Sequence, residues 1–354
     1  MNVDRSHNAA DDRAALMRLW PEAGPTPLVD LPAAAQQCRV AMVFVKDESR
    51  RPLGSFKALG GVYAGLRALA RAAGVASIDA LLASRPARNE LPKLICASDG
   101  NHGLAVATAA QFAGTQSQVF LHRNVPEVRA RRIADRGAQI VWVTGTYDDA
   151  VDAACGAAAR GAALLISDTS NDADDPVVAD VMTGYGFMAD EIVEQLADQN
   201  LPPPTHLFVQ AGVGGLAAAM ARGLNRSPTA PCRIVVVEPA VAGCVGLALQ
   251  QGRIERIPGD LHTAAEMLSC GEASAPAVQI LREHDATAIV VFENSLTAAP
   301  AKLAALGGPA TTPSGATGFA GLVEAAGEPG FRDLMRLDAN SRVLLIVSEG
   351  VPPG

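Results

Sequence analysis

The stretch THLFVQAGVGGLAAAMARGL, Thr205 to Leu224, decides the fold. Its first six residues read as a β-strand with no solvated face, because apolar residues run on without regular alternation. A glycine turn follows at Gly212-Val213-Gly214-Gly215, and then an Ala/Leu run of strong helix formers. Strand, glycine turn, helix is the repeating unit of an open α/β sheet, where ligands gather beyond the carboxyl ends of the strands.

The same alternation continues on both sides. Strand candidates are 40–46 (VAMVFVK), 93–97, 118–122, 139–143, 163–167, 232–238, 287–293 and 342–348. Between them lie helical runs such as FKALGGVYAGLRALARA, NHGLAVATAAQFA and VVADVMTGYGFMADEIVEQLA. The pattern predicts an open α/β architecture, and 354 residues exceed what one core usually holds, so two domains are expected. Segment 75–92 reads as an insertion, 200–205 (NLPPPT) as a stiff connector, and 252–275 as loop and short helix beside a site.

A net charge of −8 argues against nucleic acid as a partner, and Arg129, Arg131 and Arg132 read as one solvated helix face. The six cysteines are never closer than twelve positions, which leaves no CxxC pair and no metal cluster. MNVDRSHNAADDRA lacks an apolar leader core, and no run approaches eighteen apolar residues. A reducing cytoplasm and no membrane partner are expected.

Three segments carry chemistry. In GSFKALGG (54–61), a helix beginning near Ser55 puts Lys57 on one face with Gly60, Gly61, Ala64 and Ala68, a small stripe open to another backbone or a flat ligand. A lysine there reaches water or loses its charge, and a neutral amine condenses with carbonyls. In ICASDGNHGLAVA (95–107), Ser98, Asp99, Gly100 and Asn101 crowd polar groups where a strand passes into a helix, which suits a ligand site or a plain N-cap. The turn at 212–215 offers main-chain N–H groups to a phosphate. It also satisfies GxGxxA, with Glu238 placed as a ribose-binding acid, so a nicotinamide site and a turn without ligand both stay open here.

Taken in order, KDESRRPLGSFKALGG, ASDGNHG, QAGVGG and a late SEG turn resemble the fold-type II, tryptophan-synthase-β-like family of pyridoxal-phosphate enzymes over most of the chain. Asp in DGNHG, ISDTS at 166–170, GYGFMADEIVEQL at 184–196 and GDLHTAAEMLSCGEAS at 259–274 resemble its diaminopropionate ammonia-lyase branch. The resemblance implies two open twisted, mostly parallel sheets flanked by helices. It implies a large domain of 1–57 plus 168–354, a small domain of 58–167 inserted within it, the active site in the cleft, and a homodimer.

It further implies that Lys57 anchors the cofactor covalently and that Gly212, Val213, Gly214 and Gly215 hold its phosphate. Asn101 would meet the phenolic oxygen, Ser348 the pyridine nitrogen, and Asp99 and Asp168 would move protons. Apolar flanks (LICAS before Asp99, ALLIS before Asp168) lead us to expect raised carboxyl pKa values, as a proton donor needs. The implied reaction is α,β-elimination from 2,3-diaminopropionate, or a close β-substituted amino acid, to pyruvate and ammonia. Cys270 and Glu272, in SCGEAS, are expected at the mouth of the substrate site. The chain departs from the branch pattern in NDADDPVV after ISDTS, at Pro313 and at its SEGVPPG end, where the branch has an aromatic-containing turn, a glutamate and a further acidic stretch. Rival readings are a serine/threonine dehydratase-like or β-replacement enzyme, and a non-catalytic pyridoxal-phosphate-binding protein.

Overall fold

The computed structural model describes residues 5–84, 90–98, 100–145, 147–161, 163–226 and 231–352. Ten strands follow one another along these residues: β1 (Leu28–Asp30), β2 (Met42–Asp47), β3 (Lys93–Cys96), β4 (Ser117–His122), β5 (Gln139–Val143), β6 (Ala163–Leu165), β7 (His206–Gln210), β8 (Arg233–Pro239), β9 (Thr287–Val291) and β10 (Arg342–Val347). They form two sheets, with helices filling the crossovers between parallel strands. The chain divides into two compact units, one of Met1–Gly24, Lys57–Asp168 and Pro176–Gly184, the other of Pro25–Phe56, Thr169–Asp175 and Tyr185–Gly354.

In the first unit the sheet order is β5-β4-β3-β6, with every pairing parallel. Leu94, Ile95, Val119 and Leu121 are buried on it, as their unbroken apolar runs predict. The helix Lys57–Ala72 starts two residues later than the sequence pattern suggests, because Ser55 stays extended and bridges to Glu349 in the second unit's own sheet region. Its small stripe does not stay open. A Cβ on Gly61 would come within 2.6 Å of the Ala105 Cβ, and one on Gly65 within 2.7 Å of that of Ala109. The glycines seat the helix Asn101–Ala113 rather than a ligand, and two helices bearing chemistry are thereby held side by side.

The second unit has the order β1-β2-β10-β7-β8-β9, in which only β1 runs antiparallel to its neighbour among the described strands. Val43, Val45, Phe208, Val235, Val237, Val343 and Leu345 form its apolar core together with Phe319 of the helix Pro313–Gly327. Segment 252–275 carries only the short turn Glu266–Leu268, as expected.

The KDESRR run, for all its charge, is mostly interior. Lys46, Glu48, Arg51 and Glu191 are buried together. Arg51 gives bidentate hydrogen bonds to Glu48 (2.7 and 2.7 Å) and to Glu191 (2.8 and 2.7 Å). Lys46 completes the set with Glu191 at 2.8 Å, the Thr26 carbonyl at 2.8 Å and Gln195 at 2.9 Å. Two cations face two carboxylates, so the network is neutral and its polar atoms are satisfied, the condition for burying such groups. It anchors the strap from Glu48 to Phe56. Further along the strap, Leu53 (φ 68°) and Gly54 (φ 78°) are left-handed. Hydrogen bonds from Phe56 N to Ser348 O (3.1 Å) and from Gly350 N to Gly54 O (3.0 Å) fix its end. The next residue is Lys57.

Candidate active site

Lys57 is the first residue of its helix, and its ammonium lies 2.5 Å from the Asp168 carboxylate. Asp168 follows β6, whose line is extended by Ile166 N donating to Ile95 O. Both side chains keep about a fifth of their surface exposed, 22% and 23%. The cation is therefore paired, not shed into an apolar pocket. Burial on its own would raise the Asp168 carboxyl, but the charge of Lys57 and the Lys57 hydrogen bond outweigh it and hold the group well below the usual carboxylate range. The expectation of a raised pKa is corrected for this reason: Asp168 is ionised, and the proton of the pair sits on nitrogen.

His102, to which the sequence reading gave no role, completes the cluster. Its Nε2 lies 2.9 Å from the Ile166 carbonyl, which only accepts, so Nε2 carries the hydrogen and Nδ1 is bare. Burial first, and Lys57 next among the lowering influences, depress its pKa against the pull of Asp168, so the ring is neutral. Nδ1 is buried without a hydrogen-bond partner among the described residues and stands 4.0 Å from Asp168. Asn101 opens the helix Asn101–Ala113 after Gly100, which is the N-cap. Asp99 lies outside the described residues.

Gly103 lets this turn close, since a Cβ there would come within 2.2 Å of the Ser98 carbonyl oxygen. Gly103→Ala is expected to destabilise the protein by about 1–3 kcal/mol, as overpacking against fixed backbone does, and a lowered Tm checks it.

In the second unit, β7 ends at Gln210 and the glycine turn leads into the helix Gly215–Leu224. Gly214 is left-handed (φ 98°), and a Cβ on Gly212 would come to 3.0 Å from Cys270 Sγ. Ser274 N donates to Val213 O at 2.9 Å and pins the turn. The first N–H groups of the helix have no carbonyl partners within it, which makes its N-terminus receptive to an anion. Ser348 follows β10, buried, and accepts a 2.7 Å hydrogen bond from Gln210 Nε2. Cys270 thus packs against the glycine turn, while Glu272 is half-buried in the same loop.

Glu238 settles the rival reading of that turn. It is fully buried, and its carboxyl accepts from Val245 N (2.8 Å) and Gly246 N (2.7 Å) at the start of the helix Cys244–Gln251. A ribose cannot claim it, and the nicotinamide reading falls. Burial pushes this carboxyl up to about 7, against the two N–H bonds. Its stabilising contribution is therefore full below the ordinary glutamate range and is lost as pH rises through about 7. Glu238→Gln is expected to flatten that stretch of the Tm-against-pH curve.

The residues fit a pyridoxal phosphate: a lysine at a helix start with a compensating carboxylate, and a glycine turn whose tight packing leaves main-chain N–H groups for a phosphate. Ser55, two residues before the lysine, adds a buried hydroxyl with no hydrogen-bond partner among the described residues. The sequence profile described as "Pyridoxal-phosphate dependent enzyme" matches residues 19–349. The chain belongs to this family.

Within the family, the chain is 32% identical to the diaminopropionate ammonia-lyase of Salmonella typhimurium, across 97% of this chain and 89% of that one. A crystal structure of the Escherichia coli diaminopropionate ammonia lyase, in complex with an aminoacrylate-PLP azomethine reaction intermediate, superposes with a TM-score of 0.83 at 29% identity, covering 98% of this chain and 89% of that one. Maize serine racemase shares the fold, with a TM-score of 0.76 at 21% identity over 98% and 94% of the two chains. The two mainly parallel sheets flanked by helices are those of fold type II, as the motifs imply. No helix among the described residues is long and apolar enough to cross a membrane.

Proposed function

We infer that this protein is a pyridoxal-phosphate dependent ammonia-lyase that converts 2,3-diaminopropionate, with water, to pyruvate and two ammonia. The single observation that carries the reading is the Lys57–Asp168 pair, 2.5 Å apart, in a family member 32% identical to a lyase of that name. When bound, the cofactor supplies an electron sink for the α-carbon.

This chain's residues do the rest. Lys57 would hold the cofactor covalently, and its free amine would accept the α-proton. Asp168, held ionised, accepts the lysine's hydrogen bond and keeps its nitrogen oriented while the proton of the pair stays on nitrogen. The proton for the leaving β-amino group then comes from nitrogen in this pair, or from Asp99, which the motif assigns to the same work. Neutral His102 lines the pair without adding charge. Asn101 would hold the phenolic oxygen, and Gly212, Val213, Gly214 and Gly215 would hold the phosphate through main-chain N–H groups. Ser348 would face the pyridine nitrogen.

A homodimer in the cytoplasm is the setting the resemblance supports. Phe292 and Val290, exposed on and just after edge strand β9, supply apolar surface of the kind a second copy covers.

The test is product stoichiometry. Purified protein reconstituted with pyridoxal phosphate is expected to release two ammonia per pyruvate from diaminopropionate. Faster turnover of serine or threonine, with one ammonia per keto acid, would instead favour a dehydratase. A change in cofactor absorbance on adding amino acids, without product from any of them, would mark a binding protein.

A further inference from the structure

The helix Ala275–Glu283 has two faces with different neighbours. Ala277 and Leu281 pack on the glycine turn: a Cβ on Gly214 would come to 3.3 Å from the Ala277 Cβ and 3.7 Å from Leu281 Cδ1. Ala275, Val278, Gln279 and Arg282, spaced i, i+3, i+4 and i+7, share the opposite face. With Gly252 and Ile254 they line a cleft of about 420 Å³, a size that suits a small molecule. Nothing in the reaction described above uses it.

The cleft is apolar except at one end. There Arg282 lies across Gly252, the left-handed residue (φ 75°) that closes the helix Cys244–Gln251. A Cβ on Gly252 would stand 3.9 Å from both terminal guanidinium nitrogens. Arg282 donates to the Gly252 carbonyl at 3.2 Å and pairs with no carboxylate among the described residues. The neighbouring charges are engaged elsewhere: Arg253 donates to Glu255 at 2.6 Å, and Glu283 accepts from the Gln279 amide at 3.3 Å. One uncompensated guanidinium beside an apolar wall complements one planar anion on an apolar body, because guanidinium and carboxylate meet through two parallel hydrogen bonds. A phosphate would bring a second charge to a wall with no second free cation.

The start of the same helix is tied to turns near the cofactor motifs. Ser274 N donates to Val213 O at 2.9 Å, and Ala275 N to Ser170 O at 2.8 Å. A molecule filling the cleft therefore backs this helix against Gly214.

We propose that the cleft binds a small apolar carboxylate, with Arg282 on the carboxylate and Ile254, Ala275 and Val278 against the tail, and that its occupancy tightens the hold of the glycine turn on the cofactor. Only the second half rests on the reading that this turn holds the phosphate.

The test is calorimetric titration with 4-phenylbutanoate, run on holoenzyme and on protein stripped of cofactor. Saturable binding is expected. It should weaken by at least about tenfold in Arg282→Met, and likewise when the uncharged 4-phenylbutanamide replaces the acid, as loss of a charged hydrogen bond predicts. Gln279→Trp, at an exposed position on the same face, is expected to block the cleft and weaken binding with Tm retained. No binding to wild type, or binding undiminished in either variant, overturns the proposal. The Kd for pyridoxal phosphate is then measured with and without saturating probe. It is expected to fall about fivefold in wild type and to stay constant in Arg282→Met. An unchanged Kd in wild type overturns the coupling. A protein that takes up no pyridoxal phosphate refutes the proposed function instead, and the titration of stripped protein still decides the cleft.

Discussion

Lys57→Ala is expected to remove covalent capture of pyridoxal phosphate and to lower kcat/KM for diaminopropionate by more than about 10⁴-fold, since the amine serves both as nucleophile and as proton carrier. The fold should survive, because Lys57 is the first residue of its helix and Asp168, with which it pairs, reaches water. Lys57→Arg separates the two duties. It keeps a cation for Asp168 and cannot condense with a carbonyl, so it should retain the thermal stability and still lose turnover. Steady-state kinetics and thermal unfolding of the two variants check this. Activity within tenfold of wild type in Lys57→Arg would show that the amine is not the covalent anchor.

Arg51→Met is expected to be the most destabilising single change outside the site. It removes the guanidinium that satisfies both Glu48 and Glu191 and leaves Lys46 alone against two buried carboxylates. Breaking a buried ion pair from one side costs roughly 3–5 kcal/mol, or about 10 °C in Tm at the usual conversion for large domains. The loss should depend on pH in a definite direction. Burial would raise Glu191, yet Arg51 and then Lys46 hold it below the glutamate range. Its contribution is therefore present above about pH 4.5, the ordinary glutamate value, and is lost as pH falls below that. In Arg51→Met the orphaned acid gains by protonation, so the gap to wild type should narrow on acidification. A gap that is constant from pH 8 to 5 would mean that packing, not charge, sets the cost.

The central strands were legible because burial on both faces writes itself as unbroken apolar runs, and RVLLIVS overruns β10 only by Ser348; QIVWV is β5 to the residue although that edge strand is half-exposed. The short strand Leu28–Asp30 was not, since three half-exposed residues just before a proline helix start carry no period. At the site, position in a motif named Lys57 and Asp168, but the sign of the Asp168 shift depends on a contact across 111 residues. Local apolar flanks registered the desolvation and not the partner. The same blindness hid the charge network, where Arg51 meets Glu191 across 140 residues. His102 left no trace, because a polar residue at a helix start reads alike whether it caps, faces water or is buried against a carbonyl.

The central claim is that one particular lysine carries the cofactor. The chain has four, Lys46, Lys57, Lys93 and Lys302, of which Lys46 is buried in the charge network. Borohydride reduction of the pyridoxal-phosphate-loaded protein, followed by peptide mass mapping, identifies the modified residue directly. The account predicts a single pyridoxyl label on the peptide containing Lys57, absent from Lys57→Ala. A label on Lys93, Lys302 or the amino terminus, with Lys57 unmodified, would contradict it.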